Sequence, residues 1–320
     1  MRAALTVPEL PEVETLRRGL AARITGMHIT AAEILDRKIF DGPDDAIKHD
    51  VIDHQISRVA RGGKVLILFL REPGSSTGES GSLLIHPKMT GQLVLTANGA
   101  TVFAGGHPTP SMLRPMPNPT TWAVFRLGPE HCLYYNDARR FGWIRPAGSD
   151  PCRTDPFLAQ LGPDPLGAGF TPAALRQALA WHPRAPVKAV LLNQTAIAGI
   201  GNIYADEVLH RARIHPSRPA GGLSQAESLR LHSAIRTILR AAADSGGTSF
   251  ADYVNEARGR PGYLGQAHVF RRQAWPARRA ARRSSAPRSR AARRTSARTA
   301  SIAETTTRPG GCRDSASRGR

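Results

Sequence analysis

A chain of 320 residues, 41% of them hydrophobic, is long enough for two domains with proper cores. No apolar run approaches membrane-spanning length, residues 1–7 lack the apolar core of a signal peptide, and the three cysteines (Cys132, Cys152, Cys312) form no close pair. These features exclude a membrane protein, a disulfide scaffold and a self-contained zinc site, so a soluble, cytoplasmic protein is expected. The net charge of +19 points to a polyanionic partner, but residues 271–320 hold 15 arginines and two acids and account for +13 of it. The preceding 270 residues carry only +6, so binding to a polyanion must be argued from placed residues.

The first element is Pro8-Glu9-Leu10-Pro11-Glu12-Val13-Glu14, where proline and carboxylates open a helix whose apolar face is Leu10, Val13, Leu16 and Leu20. Short apolar or alternating runs follow at 28–35, 52–59, 64–70, 82–95, 121–127 and 131–135, separated by turn-rich segments at 72–81 and 105–119. They read as an antiparallel sandwich of about 140 residues. Lys64 opens one of the strands, Met89 sits in the turn His86-Pro87-Lys88-Met89-Thr90-Gly91, and Asn136-Asp137-Ala138-Arg139-Arg140-Phe141-Gly142 reads as a charged hairpin tip. A Gly/Pro/Asp-rich linker at 147–155 gives way to helices expected over 172–179, 187–195, 202–211 and 224–242. Gly199-Ile200-Gly201-Asn202-Ile203-Tyr204 lacks the third glycine and the surrounding strand-turn-helix of a dinucleotide-binding loop.

In this order the motifs resemble the formamidopyrimidine-DNA glycosylases, bifunctional base-excision repair enzymes. The resemblance runs from Pro8 to about Phe270. It implies an α+β chain: residues 8–148 a catalytic antiparallel β-sandwich with a leading helix, and 149–265 a helix-two-turn-helix DNA-binding domain. It further implies that Pro8 is the nucleophile, Glu9 moves protons with Glu12 in support, and Lys64 reaches the DNA backbone and the damaged nucleotide. Met89, Arg139 and Phe141 would fill the gap left by an extruded base, replacing its stacking and meeting its widowed partner, while Arg140 is left for phosphate. Lys188 and Asn202 would grip the backbone, Asn202 also serving as a helix cap. The segments 246–250 and 259–263, ending at Tyr263, resemble the loop that folds over the extruded base. Duplex DNA containing oxidised bases is the implied partner, with a monomeric, nucleoid-associated enzyme.

The chain departs from the family at both ends. An acylated proline nitrogen is an amide with its lone pair in resonance, so Pro8 preceded by Val7 cannot attack anything. Val7 reads as a GTG initiation codon, and residues 1–7 are expected to be a non-native extension. Residues 266–320 stand where the family carries a zinc finger of spacing Cys-x2-Cys-x16-Cys-x2-Cys; this basic, low-complexity tail reads as disordered and lacks the ligands, so zinc is expected for the family but not for this chain. Ala277, Ala280, Ala297 and Ala300 fall at the finger's spacing, and a shifted reading frame can turn alanine codons into cysteine, which favours a frameshift near 271–273. Rival readings are the sister class that removes oxidised pyrimidines and a noncatalytic lesion binder.

Overall fold

The computed structural model describes residues 8–43, 45–76, 78–107, 111, 114–247 and 263–270. All of them fall within one compact unit, 1–272; the second unit, 273–320, lies outside them, as does the non-native extension expected at 1–7.

Helix α1, Leu10–Ile24, starts with a reciprocal cap in which Glu9 and Glu12 each accept from the other's end of the first turn. Its expected apolar face is fully buried, and it divides between two cores. Leu10 joins the helical core, while Leu16, Leu20 and Ile24 close the sandwich core. One helix therefore ties the two halves together and presents its amino terminus at their junction.

The sandwich consists of a five-stranded and a four-stranded antiparallel sheet. The first runs β1 (Ile29–Ile34), β7 (Thr121–Leu127), β8 (His131–Asp137), β5 (Gly91–Ala97), β6 (Ala100–Gly106); the second runs β2 (Gln55–Gly62), β3 (Val65–Arg71), β4 (Gly81–His86), β9 (Trp143–Gly148). The apolar run expected at 82–95 is two strands in different sheets, broken at Pro87-Lys88-Met89-Thr90. Strands β6 and β9 were not expected. Both are sheet edges, where alternation is weak and Pro146 is tolerated because no ladder bond is asked of its missing N–H.

Two short helices join these: α2 (Ala46–Asp50), between β1 and β2, adds Ala46 and Ile47 to the sandwich core, and α3 (Pro151–Thr154) follows β9. The helical half has α4 (Pro172–Ala180), α5 (Val187–Leu192), α6 (Asn202–Ala212) and α7 (Gln225–Asp244), close to the expected spans. Thr171 caps α4, and Ser224 with Glu227 forms a capping box on α7. Val190, Ile200, Tyr204, Leu231 and Ile235 fill the core between them. Arg61, at the end of β2, is buried across the junction: it donates to Asp164 in the loop before α4, to Glu14 on α1 (3.3 Å) and to the carbonyl of Gly63 (2.8 Å). That last bond steadies the hairpin from which Lys64 projects.

Candidate active site

The amino terminus of α1 meets that of α6, and the meeting is made by backbone. Leu10 N–H donates to Gly199 O at 3.0 Å, and the Glu9 carboxylate accepts from the amides of Gly201 (2.8 Å), Ile203 (3.0 Å) and Tyr204 (3.4 Å). Unpaired amides and the helix dipole make such an end a natural seat for an anion. Gly201 permits the approach, since a Cβ there would lie 2.2 Å from Glu9 Cδ. Gly199, at φ +87°, holds a left-handed conformation with Leu10 against it.

Glu9 is only 3% exposed, and burial pushes its pKa up to about 7 against the opposing pull of Lys64 and of the α6 amides; the charge of Glu12 adds to the rise. Glu12, itself buried, accepts from Glu9 N–H at 2.9 Å and from the Tyr204 hydroxyl at 2.7 Å. Burial and the Glu12 carboxylate hold the Tyr204 phenol protonated, so it is a steady donor. Lys64 is half-buried, its pKa lowered by burial and supported by the charges of Glu9 and Glu12. Pro8 is buried beside this group. The arrangement gathers a carboxylate whose pKa is raised to about 7, a second carboxylate and a lysine at the amino terminus of α1, directly after Pro8 in the chain.

A second cluster forms at the end of the sandwich. Asp137 is fully buried, and its carboxylate accepts from the Thr90 hydroxyl, from Tyr135 OH and from the amides of Arg139 (3.0 Å), Phe141 (3.0 Å) and Gly142 (2.8 Å). It thereby sets the hairpin tip and ties it to the Met89 turn. Arg139 Nη1 lies 3.5 Å from Met89 Sδ, its guanidinium 4.5 Å from the Phe141 ring centroid, and Phe141 is 48% exposed. Met89, Arg139 and Phe141 are thus one surface cluster. Replacing Asp137 with Ala strands these donors, and a stability loss of about 3–5 kcal/mol is expected in urea unfolding, together with weakened binding of lesion DNA.

Three residues sit differently from expectation. Arg140, at φ +55°, turns away from the cluster to pair with Asp36 at 3.0 Å and stack 3.9 Å over Trp122. Gly201, not Asn202, is the cap of α6, and Asn202 is exposed in the first turn. Tyr263 is 4% exposed, with its ring centroid 5.5 Å from that of Tyr204, so in the free protein its side chain packs in the core behind Tyr204. The rest of the expected covering loop, 248–262, lies outside the described residues. Lys188 on α5 pairs with Asp206 on α6 at 2.6 Å.

Sequence reading missed Asp137 and Tyr204 as organisers, although Asp137 stands in a quoted motif and Asp before a tight tip commonly accepts from following amides. It also missed Glu207, buried on α6, whose carboxylate accepts from the amides of His268, Val269 and Phe270 and so fixes the exit toward the tail.

Residues 7–144 match the family model for the formamidopyrimidine-DNA glycosylase N-terminal domain, and residues 161–253 match that for the formamidopyrimidine-DNA glycosylase H2TH domain. A formamidopyrimidine-DNA glycosylase of Heliobacterium modesticaldum is 39% identical over 275 residues, 85% of this chain and 92% of that protein. The chain belongs to the formamidopyrimidine-DNA glycosylase family. Its fold is likewise that of the family: the crystal structure of the Thermus thermophilus protein aligns with a TM-score of 0.68 at 32% identity, over 86% of this chain and 92% of that one. A Lactococcus lactis family member, crystallised in complex with DNA containing Fapy-dG, aligns with a TM-score of 0.70 at 28% identity, over 85% and 91% of the two chains. The family's four-cysteine zinc finger does not fit the residues present. The chain has three cysteines in all; Cys132 lies in β8, Cys152 in α3, and Cys312 lies outside the described residues. Among the described residues no cluster of three or more His, Cys, Asp or Glu side chains could hold a metal ion, and no helix is long and apolar enough to cross a membrane.

Proposed function

We propose that this chain, with Pro8 as its first residue, is a bifunctional DNA glycosylase and AP lyase of base-excision repair, acting as a cytoplasmic, nucleoid-associated monomer on oxidised purines, 8-oxoguanine and formamidopyrimidines, in duplex DNA. The observation that carries this reading is the Glu9 carboxylate, held by the α6 amides beside Lys64 and immediately after Pro8 in sequence.

The neutral Pro8 amine attacks C1′ of the extruded nucleotide, the C1′–N bond to the base breaks, and the base leaves with a proton. Opening of the sugar ring gives an iminium between Pro8 and C1′, which acidifies the C2′–H bond. Proton loss there expels the 3′ phosphate, and a second elimination expels the 5′ phosphate. Glu9, with a pKa of about 7, can both give a proton to the ring oxygen and take one from C2′ near neutral pH. Lys64 holds the negative charge of the strand at this point. Met89 and Phe141 replace the lost stacking, and the Arg139 guanidinium donates to the widowed base. The relatives' names and the Fapy-dG complex support purine substrates.

The test is a duplex carrying 8-oxoguanine opposite cytosine, scored for free base and for a gap with phosphate at both ends. Faster release from a duplex carrying an oxidised pyrimidine would assign the protein to the sister class instead. One observation favours a second reading for the chain as written: Pro8 nitrogen is acylated by Val7, which leaves a lesion binder that cannot cut.

Lys188 offers a separate check. It is engaged by Asp206 in the free protein, so DNA must displace a carboxylate to reach it. Lys188→Ala is expected to weaken duplex binding and lower the salt slope by about 0.9, the signature of one lost phosphate contact, whereas Asp206→Asn frees the lysine and tightens binding. Titration by fluorescence anisotropy at several salt concentrations reads both; an unchanged slope removes Lys188 from the phosphate contacts.

A further inference from the structure

Lys88 stands in the turn between β4 and β5, directly before Met89, and the reading above gives it no task. Its backbone is left-handed, at φ +47°, a conformation disfavoured for a residue carrying a Cβ. The conformation is held locally: Lys88 N–H donates to His86 Nδ1 at 3.0 Å, and Gly91 N–H donates to Pro87 O at 2.8 Å. His86 in turn is buried and packs edge-on against Trp143 (5.5 Å) and Phe157 (5.8 Å), so the turn stands on a rigid aromatic base.

The consequence is that neighbouring side chains part. Met89 goes to Arg139, while Lys88 is half-buried with its ammonium 5.9 Å from the Phe157 ring centroid. Its amide is bonded to the His86 ring and its ammonium lies toward Phe157, away from the Met89–Arg139 pair, and its charge is felt at both His86 and Lys64, whose pKa values it lowers. Lys64 has the charges of Glu9 and Glu12 to support it; among the described residues no carboxylate pairs with Lys88, and burial shifts its pKa downward. A half-buried ammonium with no carboxylate partner among the described residues, next in sequence to the residue that enters the duplex and electrostatically coupled to the lysine at the reacting sugar, is suited to an anion brought by the substrate.

We infer that Lys88 binds a backbone phosphate of the nucleotide turned out of the duplex, linking the Met89 wedge to the Lys64 end of the site. The inference rests on the reading of the chain as a lesion-processing DNA glycosylase. A nucleotide that leaves the stack at Met89 and arrives at Pro8 carries its flanking phosphates along the interval that Lys88 occupies. In undamaged duplex, where no nucleotide is extruded, that phosphate stays with the helix and the contact is not made.

Binding by the full chain to a duplex containing a tetrahydrofuran abasic analogue, and to the same duplex undamaged, tests this without requiring cleavage. Lys88→Ala is expected to weaken binding of the abasic duplex roughly tenfold and to lower its salt slope by about 0.9, with little change on undamaged DNA. Lys88→Arg keeps the charge and should retain most of the affinity. Lys88→Gly is the backbone control, because glycine takes up a left-handed φ without strain; it should lose as much as Lys88→Ala. An unchanged slope, an equal loss on undamaged DNA, or full affinity in Lys88→Gly would each overturn the assignment. A wild-type chain that does not prefer the abasic duplex would refute the functional reading itself, and this inference with it.

Discussion

Protein whose first residue is Pro8 is expected to form a borohydride-reducible link to 8-oxoguanine DNA, and the same protein with residues 1–7 attached is expected to form none above background. The difference should be about a thousandfold or more in the rate of strand cleavage, since in the proposed mechanism the group lost is the nucleophile and the remaining residues act with it as a unit. Secondary amines attack carbonyl-like carbon through a free lone pair; in the Val7–Pro8 amide that pair is delocalised. The scaffold itself is ready in either form. Glu9 N–H is bonded to Glu12 and Leu10 N–H to Gly199 O, so the peptide planes that follow Pro8 are fixed. Pro8→Gly in the processed protein keeps an amine but loses the ring that fixes φ and makes the amine secondary; it should release base far more slowly. Intact mass of the borohydride adduct and single-turnover cleavage measure both effects, and full-rate cleavage by either the extended chain or the glycine variant would end the proline mechanism.

What could be read from the sequence follows from how local each signal is. Helix α1 was legible because Leu10, Val13, Leu16 and Leu20 repeat at helical spacing, and all four are fully buried. The turn inside 82–95 was legible from Pro87 and Lys88, but that β4 and β5 go to different sheets was not, because both strands are buried on both faces and neither shows a period that assigns it to a sheet. The Met89, Arg139 and Phe141 cluster was legible as two motifs in order, yet the partings of Arg140 from Arg139 and of Lys88 from Met89 depend on single left-handed residues that composition does not announce. The Glu9 cradle was illegible for another reason. Its donors are backbone amides, which every residue has, and Gly201 stands 192 positions from the carboxylate it holds. The packing of Tyr263 against Tyr204 was illegible for the same reason: the two rings meet from distant parts of the chain, and no local pattern announces the contact.

Glu9→Gln in the Pro8-terminal protein is expected to lower the rate of strand cleavage by about 10²–10⁴-fold, because the amide can neither give nor take the proton in ring opening and elimination. Binding of the abasic duplex should change little, which separates proton transfer from DNA recognition. Gly201→Ala should produce a similar loss of rate by another route: its Cβ would fall 2.2 Å from Glu9 Cδ and push the carboxylate out of its amide seat. The same carboxylate predicts a pH dependence of stability, measured on the full chain, where Pro8 bears no charge. Its pKa is raised on folding from 4.5 to about 7, so the folded state holds the proton more tightly than the unfolded one. The resulting stabilisation is complete below pH 4.5 and is lost as pH rises through about 7, a change of about 3 kcal/mol for this group alone. Glu9→Gln removes that titration and leaves the other groups in place. The stability difference between wild type and variant, from urea unfolding, should therefore move against the wild type by about that amount between pH 4.5 and 8. A difference that stays constant over that interval would mean that folding leaves the Glu9 pKa near 4.5, so that at neutral pH almost none of it carries the proton needed to open the sugar ring.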